Sequence, residues 1–118
     1  KFQVHKAEDG QQVSDPEFNE GSGESQRYSF IVKGTYNGAA FVYKSKKSMN
    51  IVINFNSASN IKLKNQNFTI LFNKTGWFMS GTTVLNPNLP QNADIIDDNI
   101  KASFKKAFID DNKDGIAD

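Results

Sequence analysis

Between Arg27 and Leu85 apolar and polar positions alternate with a period of two, interrupted by turn residues. In the first run Tyr28, Phe30 and Val32 share one face and Ile31 takes the other. Asn37-Gly38 follows, the strongest two-residue hairpin signal because both residues tolerate a positive φ. Phe41 and Tyr43 then resume the alternation against Val42 and Lys44. Ile51, Ile53 and Phe55 form a further run, Ile61 and Leu63 another, and Phe68, Ile70 and Phe72 another. Trp77 and Phe78 open a short strand to about Ser80, which Val84 and Leu85 extend. Upstream, Phe2, Val4 and Ala7 alternate with polar neighbours before the turn signals Asp9-Gly10 and Asp15-Pro16. From Pro16 to Gln26, around Gly21-Ser22-Gly23, the chain is polar and reads as a loop. Runs of this kind predict strands with one buried face each.

The period changes after Asn86-Pro87-Asn88-Leu89-Pro90, where two prolines end any ladder. Ile96, Ile100, Phe104, Ala107 and Phe108 lie on one stripe at helical spacing, predicting an amphipathic helix over 91–109. Asn92 suits its N-cap, where a side-chain oxygen accepts from a free backbone N–H. Asp94, Asp97 and Asp98 near the start, with Lys101, Lys105 and Lys106 near the end, complement the helix dipole. Asp97 also precedes Lys101 by four residues, a pairing worth roughly 0.3 kcal/mol. The fold expected is one mainly β domain over 1–118: an antiparallel sheet or β-sandwich of about six or seven strands, its open apolar face covered by the C-terminal helix. Residues 1–26 supply an N-terminal strand and loop, 27–85 the β region, 91–109 the helix and 110–118 an acidic loop.

Composition narrows the function classes. The chain has 118 residues, enough for one core, and 14 basic against 13 acidic residues leave a formal charge of +1. Nothing in that balance suggests nucleic acid, which requires a clustered basic surface. The lysines of 44–47 read as an exposed strand end rather than a binding patch. Cysteine is absent, so disulfides, thiolate metal sites and thiol catalysis are excluded. No apolar run approaches the ~20 residues of a membrane span. The opening at Lys1 without Met reads as a processed or trimmed form, and export is the expectation.

Chemistry concentrates in the last nine residues, Asp110-Asp111-Asn112-Lys113-Asp114-Gly115-Ile116-Ala117-Asp118. Asp110, Asn112 and Asp114 stand two apart, Gly115 allows a tight turn, Ile116 offers its carbonyl and Asp118 takes the ninth position. Oxygen donors alternating in this way suit Ca²⁺, a hard cation that takes six to eight oxygens. The segment resembles the D-x-[DN]-x-D-G-x-x-D loops of thrombospondin type 3 repeats and dockerin modules. It departs from the EF-hand loop in stopping before position twelve, where a bidentate Glu closes the shell. With fewer carboxylates the expected dissociation constant is weak, roughly 10⁻⁴–10⁻³ M. Calcium is the one cofactor expected.

Catalytic constellations are missing. His5 is the sole histidine, and the sequence contains no G-x-S-x-G, G-x-x-x-x-G-K or H-E-x-x-H motif. Glu17, Glu20 and Glu24 qualify as acid–base carboxylates by type alone. No enzyme activity is expected. Tyr36, Tyr43 and Trp77, if exposed, offer aromatic faces for a glycan, although such rings commonly fill the core of a β domain. The hairpin from Val32 to Phe41, the Trp77 region and the segment Asn99 to Phe108 resemble uncharacterised bacterial exported lipoproteins. That resemblance implies a periplasmic or cell-surface location and lipid anchoring through a segment outside this chain. The expected function is a non-enzymatic exported interaction or structural module with a weak calcium loop and a protein or glycan partner. The alternative is a carbohydrate-binding module.

Overall fold

The hairpin at Asn37-Gly38 forms as its sequence dictates. In the computed structural model, which describes residues 2–8, 10, 11, 13–19, 27–54 and 65–118, strand β2 (Phe30–Tyr36) pairs antiparallel with β3 (Ala39–Ser45). Tyr36 opposes Ala39, so the loop is Asn37 and Gly38 alone, at φ +50° and +79°. Both positive values match the twist of the flanking strands. Phe30, Val32, Phe41 and Tyr43 all pack in or against the core from this hairpin, whereas Val42 on its other face is 49% exposed.

The protein is mainly β, with antiparallel pairing and one helix near the C-terminal end. Among the described residues the strands associate two by two. β1 (Phe2–Val4) pairs with β4 (Met49–Ile51), β5 (Phe68–Phe72) with β8 (Phe104–Ile109), and β6 (Met79–Ser80) with β7 (Thr83–Val84). The run beginning at Ile51 closes after that residue, and Ile53 packs against the core without strand geometry. Thr83–Val84 turns back on Met79–Ser80 through Gly81 at φ +58°, so it forms a second arm and not an extension. The runs at Phe55 and at Ile61 and Leu63, and the Gly21-Ser22-Gly23 stretch, lie outside the described residues.

Helix α1 spans Ala93–Ala102, shorter than the predicted 91–109. Its two ends show why. Pro90–Asn92 forms a 3₁₀ turn leading into the helix, and Asn92 lies at helical φ/ψ without capping it. The Asn92 side chain instead donates Nδ2–H to the Asn86 carbonyl at 3.0 Å. At the other end the Ile100 carbonyl accepts from both the Ser103 N–H (3.1 Å) and the Ser103 hydroxyl (2.6 Å). Saturating one of the last free carbonyls in this way stops the helix. The chain then leaves as β8, where pairing with β5 satisfies backbone groups that a longer helix would have used internally.

The core is where α1 meets the strands. Ile96 and Ile100, fully buried, join Tyr43, Met49, Ile51, Trp77 and Leu85 in one cluster. The helix therefore covers an apolar β surface, as its Ile96–Ile100 stripe predicts. Phe104 still packs against that cluster, but from β8. Asp97 does not pair with Lys101. It is buried, and its Oδ1 accepts from the Tyr43 hydroxyl at 2.7 Å. The same hydroxyl lies 3.0 Å from the Ala93 carbonyl, fastening α1 to β3. Lys47 forms the helix's outer ion pairs, with Asp98 at 3.2 Å and Asp94 at 3.9 Å. At those exposures such pairs contribute little.

Candidate functional site

The acidic loop 110–118 follows a strand, not a helix. Because β8 continues its pairing with β5, Asp110 N–H donates to the Asn67 carbonyl at 3.0 Å, and Asn67 N–H donates to Asp111 Oδ1 at 3.0 Å. This ladder draws Asp110 inward until it is 1% exposed, the most buried carboxylate among the described residues. Its Oδ2 accepts from the Thr69 hydroxyl at 2.6 Å and the Gly115 N–H at 3.1 Å, and its Oδ1 from the Asp114 N–H at 3.0 Å. Lys113 at φ +61° and Gly115 at φ +83° wrap the loop so that these amides point back at the carboxylate. The Thr69 hydroxyl foremost, then the amides of Gly115, Asp114 and Lys113, hold the Asp110 carboxyl below its ordinary pKa against the opposing effect of burial.

The other predicted ligands stay at the surface. Asn112, Asp114, Ile116 and Asp118 are exposed. Asp114 Oδ1 accepts from the Ile116 N–H at 2.8 Å and its Oδ2 from the Asn112 amide at 3.0 Å. Asp118 Oδ2 accepts from the Asp111 N–H at 2.6 Å, while its own N–H returns to the Ile109 carbonyl at 3.0 Å. The donor set is all oxygen, and a carboxylate offers roughly four lone-pair positions, so each of these side chains keeps acceptor capacity. By chemistry the set fits a hard divalent cation. By geometry it is a loop closed on itself: among the described residues no three His, Asp or Glu side chains converge on one metal-sized point.

The aromatic trio does not form a platform. Tyr43 is 5% and Trp77 is 7% exposed, both in the central cluster. Tyr43 sits edge-on to Phe78 at 5.9 Å, and Trp77 edge-on to Phe30 at 5.7 Å. Tyr36 is half-buried at the end of β2, beside the hairpin turn. Burial of these rings supplies the large apolar volume that a sheet short of big aliphatics needs. Among the described residues the exposed aromatics are instead Phe68 and Phe72, at 49% and 52%.

The remaining candidates are scattered. His5 is exposed, its Nδ1 2.6 Å from the Lys6 carbonyl. Glu17 pairs with Lys33 across to β2, and Glu20 and Glu24 lie outside the described residues. Lys44 and Lys46 stand over the Tyr28 ring, 5.1 and 5.7 Å from its centroid, so they decorate an aromatic face and do not form a basic groove. No helix among the described residues is long and apolar enough to cross a membrane. One side chain that sequence reasoning missed matters most here. Thr69 lies 41 positions before Asp110 and reaches it only through the β5–β8 register. Trp77, whose ring the sequence reading favoured for the core, is buried there, and its indole N–H finds no partner among the described residues. No protein-family model matches the chain, and neither a curated protein nor a solved structure matches it.

Proposed function

We propose that this chain is a non-catalytic, exported interaction or structural module whose acidic loop binds Ca²⁺ weakly and clamps the end of the β5–β8 ribbon. One observation supports the metal: the loop winds around a buried carboxylate, Asp110, and carries the oxygens of Asn112, Asp114, Ile116 and Asp118 around the same turn. Binding requires the Asn112–Asp114 side-chain link to open and both Asp114 and Asp118 to swing inward. That rearrangement, added to a low carboxylate count, keeps the dissociation constant in the range of roughly 10⁻⁴–10⁻³ M. The cation stabilises the folded ribbon; it has no substrate to polarise in this reading.

Thermal melting in calcium against melting in chelator tests the proposal. Calcium at ten times its dissociation constant stabilises by about 1.4 kcal/mol. Asp114→Asn and Asp118→Asn, both at exposed positions, are expected to remove the rise while lowering the melting temperature in chelator only slightly, because an asparagine oxygen can still accept from the Ile116 or Asp111 N–H. An identical melt in calcium and chelator overturns the metal reading. Asp110→Ala is the wrong probe, because that carboxylate is buried and alanine would leave its three donors without an acceptor.

A further inference from the structure

The tip of the β2–β3 hairpin carries a reactive pair. Asn37 alone among the asparagines of the chain is followed by glycine; every other one precedes a residue whose Cβ crowds its own backbone nitrogen. Asn37 and Gly38 are exposed and form the whole loop, so the Gly38 N–H lies between the paired residues Tyr36 and Ala39, outside the ladder. A Cβ at Gly38 would meet nothing within 4 Å, so the tip is open to water and base.

The position of the pair makes its chemistry consequential. The ladder behind the turn runs through seven residue pairs, and its strands bring Phe30, Val32, Phe41 and Tyr43 to the core. A Cβ at Gly34 would stand 3.0 Å from the Phe41 ring, so that ring fits because the register sets it against a glycine. The register in turn depends on a loop of only two residues, at φ +50° and +79°. A loop that short has no slack for an extra main-chain atom.

We propose that Asn37 is a site of self-modification, in which Gly38 N closes on Asn37 Cγ to a succinimide whose opening to isoaspartate breaks the hairpin register. The Gly38 nitrogen gives its proton to hydroxide or a buffer base and bonds to Cγ; the Cγ–Nδ2 bond breaks, and Nδ2 leaves as ammonia. Water then opens the ring at either carbonyl. Cleavage between nitrogen and Cγ gives aspartate with the main chain unchanged. Cleavage between nitrogen and the Asn37 carbonyl carbon gives isoaspartate, whose main chain runs through Cβ and Cγ and is one atom longer. Both products add one negative charge and so remove the formal +1 of the chain. In the turn they differ. Asp-Gly suits the same turn as Asn-Gly, so aspartate keeps the hairpin. Isoaspartate does not fit between Tyr36 and Ala39, and the ladder loses its register. Ring closure needs the Asn37 backbone and side chain to rotate together, which the paired turn restrains. Opening of the hairpin therefore precedes closure, and isoaspartate makes the opening permanent.

Incubation of the chain in mildly alkaline buffer, with and without denaturing guanidinium, tests the proposal. Mass spectrometry of the tryptic peptide 34–44 follows the amide-to-acid change and separates aspartate from isoaspartate. In guanidinium Asn37 is expected to convert ahead of every other asparagine. The same conversion in the native buffer is expected to be slower by roughly tenfold or more, because only the locally opened hairpin reacts. Asn37→Asp carries the new charge without the added atom and should melt close to the parent, whereas the separated isoaspartate form should melt lower. Another asparagine converting first in guanidinium, an Asn37 rate unchanged by guanidinium, or an isoaspartate form that melts with Asn37→Asp overturns the proposal.

Discussion

Replacing Tyr43 by Phe removes one oxygen from the joint between β3 and α1 and leaves its ring contacts intact. The hydroxyl donates to Asp97 Oδ1 at 2.7 Å, and both residues are more than nine-tenths buried. Without it, a buried carboxylate oxygen loses its donor. A hydrogen bond to a charged group contributes roughly 1.5–3 kcal/mol, and an unsatisfied buried acceptor places the loss toward the upper end. The ring itself still packs edge-on to Phe78 at 5.9 Å, so no cavity term adds. At about 4 °C per kcal/mol for a chain of this size, a loss of about 2.5 kcal/mol lowers the melting temperature by about 10 °C. Asp97→Asn keeps an acceptor but not the charge, and is expected to lose about half as much. The double variant Tyr43→Phe/Asp97→Ala should show a coupling of at least about 1 kcal/mol in a cycle with its two singles. A second signature lies in alkali. Burial first, then the hydrogen bond to Asp97, push the Tyr43 phenol far above its ordinary value near 10. A pKa raised on folding contributes stability that is complete below the unfolded value and lost as pH rises through it. The parent should therefore lose stability above about pH 10, and Tyr43→Phe should lose less over the same interval. The raised lysines, Lys33 and Lys47, contribute equally to both proteins and cancel. Equal melting temperatures and equal alkaline slopes for parent and Tyr43→Phe would refute this account of the joint.

Two further outcomes follow from other places in the fold. Thr69→Val removes the main group that lowers the Asp110 pKa, so the carboxyl should titrate closer to its ordinary value near 4. A depressed pKa contributes stability present above the unfolded value and lost as pH falls, so the valine variant should show a shallower acid-side loss in urea midpoints and an upward-shifted Asp110 carboxyl resonance; superimposable titrations count against it. Gly38→Ala forces an L residue to φ +79° where its Cβ meets no atom within 4 Å, so the loss should be backbone strain alone, roughly 1–2 kcal/mol by urea midpoint at constant slope.

Features settled by neighbouring residues were legible in the sequence. Asn37-Gly38 specifies its turn through backbone sterics that no distant contact overrides, and the turn in turn fixes a seven-residue register. The Ile96–Ile100 stripe was legible for the same reason, since one helical turn brings both onto the buried side. The acidic loop was legible as a turn because Gly115 tolerates the positive φ that the structure gives it. Partners distant in the chain were not. The buried Tyr43–Asp97 link joins positions 54 apart, and neither residue's local context distinguishes it from an exposed tyrosine or a helix-surface aspartate. Trp77 is similar: its burial suits a ring that follows the Lys74-Thr75-Gly76 turn and precedes Phe78, but its ring partners Phe30 and Phe72 cannot be read from that local context.

The misread segment, 104–109, has a more specific cause. Its bulge at Lys105 puts Phe104 on the same face as Ala107 and Ile109, against Phe72, Ile70 and Phe68. In sequence those positions are three and then two apart, so the period-two signature of a strand is broken at its first step. The first spacing is also that of a helix, and it continues the Ile96–Ile100 stripe without interruption. A pattern method must therefore extend the helix, and only the pairing with β5 reverses the choice. The consequence reaches the candidate site. A helix delivering Asp110 would leave its carboxylate at an exposed helix end, free to lead a cation-binding loop. A strand delivers it against Thr69, where the fold already supplies three donors. Any cation that binds must then share a carboxylate that the folded ribbon also uses, and this shared use links metal binding to β5–β8 pairing.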